Sequence, residues 1–179
     1  MAENLIWLAT QLYPDRKIIV WAHDNHIMTD KWMLYDAHGP EVAAVIGQES
    51  TESIGRRTYL GEAVRAYFGD RATYALGLIT GTGEYSTDIA PALYGRAADF
   101  NKTESLASAG PGTLEAAPAA SGHRVAFVDL PSRDTGPVST RVIDYSELPP
   151  LPLNIAQGFD GLLCIDTTHR LETISPAAR

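Results

Sequence analysis

The chain has one cysteine, few basic residues and no long hydrophobic run, and each shortage excludes a class of protein. Because Cys164 is the only cysteine among 179 residues, no disulfide can form within the chain and no cysteine-based metal site is expected. Lys and Arg number 14 against 22 Asp and Glu, and the net charge of -8 argues against nucleic-acid binding. No apolar stretch approaches the length of a membrane span and no secretory signal is visible, so a cytoplasmic protein without membrane contact is predicted.

Two catalytic signatures are also missing from the sequence. There is no Gly-x-Ser-x-Gly elbow, which argues against a serine hydrolase of the α/β-hydrolase kind. There is no His-Glu-x-x-His zinc helix, and no cofactor is predicted. His23 and His26 could supply two metal ligands, with a third from Asp24, Asp166 or another polypeptide. A metal-dependent hydrolase is therefore kept as a weaker alternative.

Alternating helices and strands predict an α/β fold with a mostly parallel sheet flanked by helices. The composition, 45% hydrophobic, is sufficient for one core. Helices are predicted over residues 1–13, which Pro14 ends, over 58–68, which Gly69 ends, and over 113–121, where Thr113 is a predicted cap and Pro118 is expected to kink or shorten the helix. Buried strands are predicted over 18–22, 73–80, 125–130 and 161–165.

The stretch from Lys17 to His26 joins the first of these strands to two histidines three residues apart. Ligands bind beyond the carboxyl ends of strands in open α/β sheets, so the imidazoles are predicted to lie at a site. Asp24 and Asn25 favour a turn or an opening helix, on which His23 and His26 converge. Histidine can accept and return a proton near neutral pH. The alternative is that one histidine caps the strand end and the other is solvated.

Polar residues follow two further strands at their carboxyl ends. Gly81-Thr82-Gly83-Glu84 comes after one strand and is interpreted either as a flexible turn or as a backbone wall of the pocket. Glu84 is a candidate acid/base or substrate-binding residue. Asp166 follows the last strand, where it could orient a histidine or bind water, or could cap the strand instead. Asp24, Glu84 and Asp166 are the candidate substrate-binding residues.

Several segments together resemble the erythromycin esterase family. Val20 to His26 is similar to the family's V-W-A-H-N-x-H signature, with Asp24 in place of the usual Asn. Leu60-Gly61-Glu62 with Phe68-Gly69-Asp70 resembles its M-G-x-x-L…G-D segment. Pro111 to Glu115 resembles its P-G-S-L/V-E motif, and Phe159 to Asp166 its closing Y/F-D-A-L-x-F-I-D strand. Each piece is short, but their order and spacing together are specific.

The resemblance implies a hydrolase that opens a macrolactone or a related ester and inactivates macrolide antibiotics. The family is roughly twice as long, and the G-E-x-x-H-G motif of its N-terminal half is absent here, so residues 1–179 are expected to form the C-terminal portion of an incomplete domain. The general base is then expected outside the chain, with His23 and His26 positioning water or polarising the carbonyl, and with Asp24 favouring a charged imidazole.

The expected partner is a small-molecule ester substrate, and self-association through exposed half-domain surfaces is also expected. The alternative from a different class is a truncated, non-catalytic α/β module that binds a ligand or a partner through the same pocket.

Overall fold

The structure, a computed structural model, describes residues 1–30, 58–86, 103–130, 136–141 and 150–169. The helices are α1 (Ala2–Trp7), α2 (Asp24–Ile27), α3 (Leu60–Phe68), α4 (Ala117–Ser121) and α5 (Ile155–Gly158). A π-helix over Leu8–Leu12 continues α1, and 3-10 turns span Asp70–Ala72 and Leu114–Ala116. The strands are β1 (Leu76–Ser86), β2 (Thr103–Leu106), β3 (Val125–Asp129), β4 (Val138–Thr140), β5 (Leu151–Leu153) and β6 (Gly161–Thr168).

Four strands form a sheet in the order β2-β1-β6-β3, while β4 and β5 form a separate antiparallel pair. Strands β1 and β2 are antiparallel. Strands β3 and β6 are also antiparallel. At one end of the pair Leu130 N–H donates to the carbonyl of Asp160, and at the other end Asp166 N–H donates to that of Arg124. The α/β class is confirmed, but the sheet is mixed rather than mostly parallel.

The helices predicted on either side of the candidate site are confirmed. The N-terminal helix ends at Leu12, directly before Tyr13 and Pro14. Helix α3 follows Tyr59, whose backbone is extended and whose N–H donates to Glu62 Oε2 at 2.9 Å. An acidic side chain in the first turn also interacts favourably with the helix dipole. Gly69, with φ of 79°, ends the helix.

The strand predicted over residues 18–22 is wrong for the structure as described. This segment belongs to no sheet, and its side chains are not buried: Ile19 is 93% exposed and Trp21 88%, whereas Ile18 and Val20 are less than 40% exposed. The alternation is that of an extended segment with one face fully in solvent. The apolar run has the composition of a central strand, but pairing needs a neighbouring strand, which the described residues do not provide.

The other strand predictions need smaller corrections. The predicted buried strand over 125–130 forms as β3, but at an edge of the sheet, where Val125 and Phe127 are more than half exposed. Strand β1 continues to Ser86 and includes the glycines that were interpreted as a turn. A Cβ on Gly83 would collide with the backbone of Thr168, and one on Gly81 would lie 2.8 Å from the carbonyl oxygen of Asp166. Glycine in this strand therefore permits the close approach of β6.

The third predicted helix forms as a 3-10 turn over Leu114–Ala116, with Thr113 at its N-cap position, followed by the short helix α4. Thr113 makes no capping hydrogen bond; its hydroxyl donates instead to the carbonyl of Gly110 at 2.8 Å. The predicted shortening at Pro118 is confirmed: the proline lies in the first turn of α4, where a backbone N–H would have no helical acceptor.

The chain divides into two compact units, called unit 1 (residues 1–78 and 127–163) and unit 2 (residues 79–126 and 164–179). The core of unit 1 includes Met28, Leu60, Ala75, Leu151, Leu153, Ile155, Ala156, Phe159 and Leu162. In unit 2 the buried side chains include Thr80, Leu106, Glu115, Pro118 and Cys164. The burial predicted for Cys164 is confirmed, and burial raises the pKa of its thiol, with a further contribution from Glu115. Among the residues described, no helix has the length and apolar character that crossing a membrane requires.

Candidate functional site

The two histidines of the motif lie side by side at the start of α2. The carbonyl of His23 accepts from the N–H of His26 at 2.8 Å and from that of Ile27 at 3.3 Å, which closes the first helical turn. Residues three apart on such a turn share one side. The ring centroids are accordingly 6.5 Å apart, with the ring planes at 79°. Both side chains are exposed. The predicted convergence is confirmed, and the pair has access to solvent and to a ligand.

Asp24 ties this helical turn to the sheet. Its carboxylate accepts from the backbone N–H of Leu78 on β1, at 3.1 Å for Oδ2 and 3.4 Å for Oδ1. The turn is fixed at its other end by Thr29, whose N–H donates to the carbonyl of Gly158 at 2.9 Å. Asp24 therefore anchors the residues on either side of it. Its predicted contact with substrate stays a prediction.

Tyr59 is a third ring at the site, which the sequence did not indicate. Its centroid is 6.4 Å from that of His26, and the planes meet at 69°. The residue directly precedes Leu60-Gly61-Glu62, a segment that carries the family resemblance. This position beside a family segment was the sequence feature that could have indicated a role for Tyr59 at the site. The spacing gives no indication that Tyr59 lies near His26, which is 33 positions earlier.

The other two predicted site residues lie in unit 2, whereas His23, Asp24 and His26 lie in unit 1. Glu84 is exposed on β1, where it pairs with Ser105 of β2. Asp166 lies on β6; its N–H donates to the carbonyl of Arg124, and its Oδ2 accepts from the hydroxyl of Thr167 at 3.3 Å. Substrate binding by Glu84 and Asp166 stays a prediction.

A structural ion pair in unit 1 was also missed from the sequence. The guanidinium of Arg65 binds both carboxylate oxygens of Asp160, and Asp160 Oδ2 also accepts from the N–H of Ala75 at 2.7 Å. Both side chains are largely buried. The partners are 95 residues apart, so no local pattern predicts the pair. It joins α3 to the start of both β1 and β6.

The described residues offer no ready metal site. No group of three or more His, Cys, Asp or Glu side chains suited to a metal occurs in the described parts of the chain. An open groove of about 440 Å³ is lined by Leu8, Tyr13, Arg16, Lys17 and Ile18, and neither histidine lines it. The exposed imidazoles can donate hydrogen bonds and exchange protons with a bound molecule, but they do not enclose one.

Comparison with known proteins gives the evolutionary context of this arrangement. No curated protein matches the chain. A crystal structure of a protein from Bacillus cereus is similar, with a TM-score of 0.60 and 17% sequence identity, over 97% of this chain and 38% of that one. At this identity the likeness concerns the fold alone, and the chain spans well under half of that solved chain. The model of the family described as erythromycin esterase matches residues 1–168. This match covers nearly the whole chain, including the histidine motif, and the chain therefore belongs to the erythromycin esterase family.

Proposed function

We propose that this chain is the C-terminal part of an erythromycin esterase-type hydrolase that cleaves a macrolactone or a related carboxylic ester. The observation that carries the proposal is the pair of exposed imidazoles of His23 and His26, 6.5 Å apart on one side of a helix start. Family membership supports hydrolase activity. That the cleaved bond is a carboxylic ester and that the substrate is a macrolide are more specific proposals, because a fold family does not fix the ligand.

In the proposed reaction, water attacks the ester carbonyl. A general base removes the proton of the water as its oxygen bonds to the carbonyl carbon, and an imidazole N–H donates to the oxygen that becomes negative. The tetrahedral intermediate then collapses, the carbon–oxygen bond to the alcohol breaks, and the leaving alkoxide takes the proton that the general base removed. The carboxylic acid that remains loses its proton to solvent. The products are a carboxylate and an alcohol, which stay on one molecule when the substrate is a lactone. His23 and His26 are the groups proposed to position the water and stabilise the oxyanion.

The general base is proposed to lie on polypeptide outside these 179 residues. Two observations support this. The chain covers only 38% of the solved structure with a similar fold, and the segment before His23 exposes Ile19 and Trp21 on one face with strand-like alternation. A strand supplied by additional polypeptide would cover that face and would bring further side chains to the end of the segment, beside the histidines.

The test is macrolactone ring opening, followed by mass spectrometry as the gain of one water. The 179-residue chain is compared with the same chain extended by the polypeptide encoded directly upstream. Activity in the extended chain that His23→Ala and His26→Ala abolish supports the proposal. The matched control is His123→Ala, because His123 is equally exposed but lies in unit 2, before β3. This control is expected to keep full activity.

Each other outcome rejects part of the proposal. Activity of the short chain alone means that the base is within it, and Glu84 is then the first residue to substitute. Activity lost with a chelator and restored by zinc supports the metal-dependent alternative. If neither chain turns over macrolactones or simple esters, the enzyme proposal fails and the non-catalytic binding module is favoured.

A further inference from the structure

The imidazole of His26 makes edge-to-face contacts with two other rings. One is His23, and the other is Tyr59 at 6.4 Å. Exposed side chains ordinarily exchange between rotamers, and an imidazole that exchanges freely spends only part of its time in a productive orientation. A neighbouring aromatic ring restricts this exchange, because edge-to-face contacts are favourable over a narrow range of geometries. Tyr59 is therefore placed to hold His26 in one orientation.

The backbone around Tyr59 is itself firmly held. Tyr59 has an extended conformation directly before α3, and its N–H donates to Glu62 Oε2 at 2.9 Å. The next residue, Leu60, is buried in the core of unit 1. These contacts fix the point from which the Tyr59 side chain departs.

Gly61 brings this helix start close to the histidine turn. A Cβ at Gly61 would overlap the carbonyl groups of Ile27 and Met28, which follow His26 directly. Any other residue here would force α3 away from α2 and would take Tyr59 away from His26. The sequence Tyr59-Leu60-Gly61-Glu62 thus serves one geometric purpose: the glycine allows the approach, the glutamate fixes the backbone, and the tyrosine ring meets the imidazole.

We propose that Tyr59 is a positioning residue of the hydrolase site, which holds the His26 imidazole in the orientation that it needs beside His23. Its ring, rather than its hydroxyl, performs this role, because the contact is between rings. The catalytic part of the inference rests on the proposed function, whereas the contact itself can be tested without any activity.

The direct test is nuclear magnetic resonance of the histidine rings in the 179-residue chain. Tyr59→Leu removes the aromatic ring, and Tyr59→Phe keeps it while removing the hydroxyl. The ring resonances of His26 are expected to move in Tyr59→Leu and to stay near their original positions in Tyr59→Phe. The matched control is Tyr67→Leu, the same change within α3 at a tyrosine that packs against Phe68, and it is expected to leave His26 unaffected. Unchanged His26 resonances in a folded Tyr59→Leu variant overturn the proposal.

The second test uses the extended, active chain. Tyr59→Leu is expected to lower kcat about 2- to 10-fold with little change in KM, which is the range that an edge-to-face ring contact supports. Tyr59→Phe is expected to restore the rate. A raised KM with unchanged kcat, or equal losses in both variants, would mean that Tyr59 contacts the substrate, and would reject the positioning role. If no chain hydrolyses esters, the proposed function fails while the resonance experiment still decides whether the Tyr59 ring contacts His26.

Discussion

Unit 1 and unit 2 differ in what they leave exposed. Among the described residues, the large hydrophobic side chains that face solvent lie almost entirely in unit 1, and Ile19 and Trp21 are the extreme cases; unit 2 contributes Val125. Unit 1 nevertheless has its own apolar core, whereas the buried side chains of unit 2 include the acidic Glu115 as well as Leu106 and Cys164. Exposed apolar surface on a unit that already has a core indicates a binding face rather than a failure to fold. Unit 1, which also carries the histidines, is therefore the unit we expect to receive another polypeptide.

The largest predicted effect concerns what holds unit 1 together. Asp160→Ala removes the carboxylate from the largely buried Arg65 and from the N–H of Ala75, and should lower the free energy of unfolding by about 3–5 kcal/mol. Urea denaturation measures this loss. The matched control is Asp70→Ala, because Asp70 pairs with the same arginine at 3.3 Å but is 75% exposed, and its loss should cost about 0–1 kcal/mol. Equal losses in the two variants would contradict the structural role given to the buried pair.

The next effect concerns the close approach of α3 to α2. Gly61→Ala places a methyl group against two carbonyls and should destabilise the protein by about 1–3 kcal/mol, although alanine favours helix more than glycine does. Gly110→Ala in unit 2 is the control, since an added Cβ there meets nothing within 4 Å. Thermal unfolding distinguishes the two variants. A neutral or stabilising Gly61→Ala would mean that the helices separate easily and that the contact of Tyr59 with His26 is loose.

A smaller effect appears only at alkaline pH. Desolvation, followed by the hydrogen bond that Tyr74 donates to Asp129 at 2.7 Å, raises the pKa of the Tyr74 hydroxyl from 10.0 to about 12. Because the folded protein favours the neutral phenol, the associated stability is complete below about pH 10 and is lost as the pH rises to about 12. Tyr74→Phe should remove this part of the alkaline decline, as measured by denaturation at several pH values. The control, Tyr67→Phe, should decline like the original chain.

The smallest change in stability is expected on the exposed face itself. Ile19→Lys should alter the free energy of unfolding by less than about 0.5 kcal/mol, because the side chain is 93% exposed. The same change should reduce self-association, which sedimentation velocity measures, since a charge interrupts the apolar segment. Val125→Lys provides the comparison on unit 2. If it reduces self-association as much as Ile19→Lys does, the distinction between the two units is wrong.

Local chemistry explains which features could be predicted from the sequence. Helix α3 could be predicted because its apolar spacing and its terminal glycine lie within one short segment. The convergence of His23 and His26 was predicted for the same reason, since three residues and a turn-forming Asp-Asn pair determine it. Asp160 shows the limit: its chemistry is evident from the sequence, but its partner Arg65 is 95 residues away. Tyr59 likewise becomes part of the site only when α3 packs against α2.

The sequence by itself determined the family, the α/β class, the acidic character and the helical turn that carries the two histidines. The tertiary structure decided that Ile18 to Ala22 lies outside the sheet, that the glycines after residue 80 belong to a strand, and that β3 lies at an edge of the sheet formed by the described residues. The physical reason is that helices and turns satisfy their hydrogen bonds within a few residues, whereas a strand satisfies its own only through a neighbour that the local sequence does not specify.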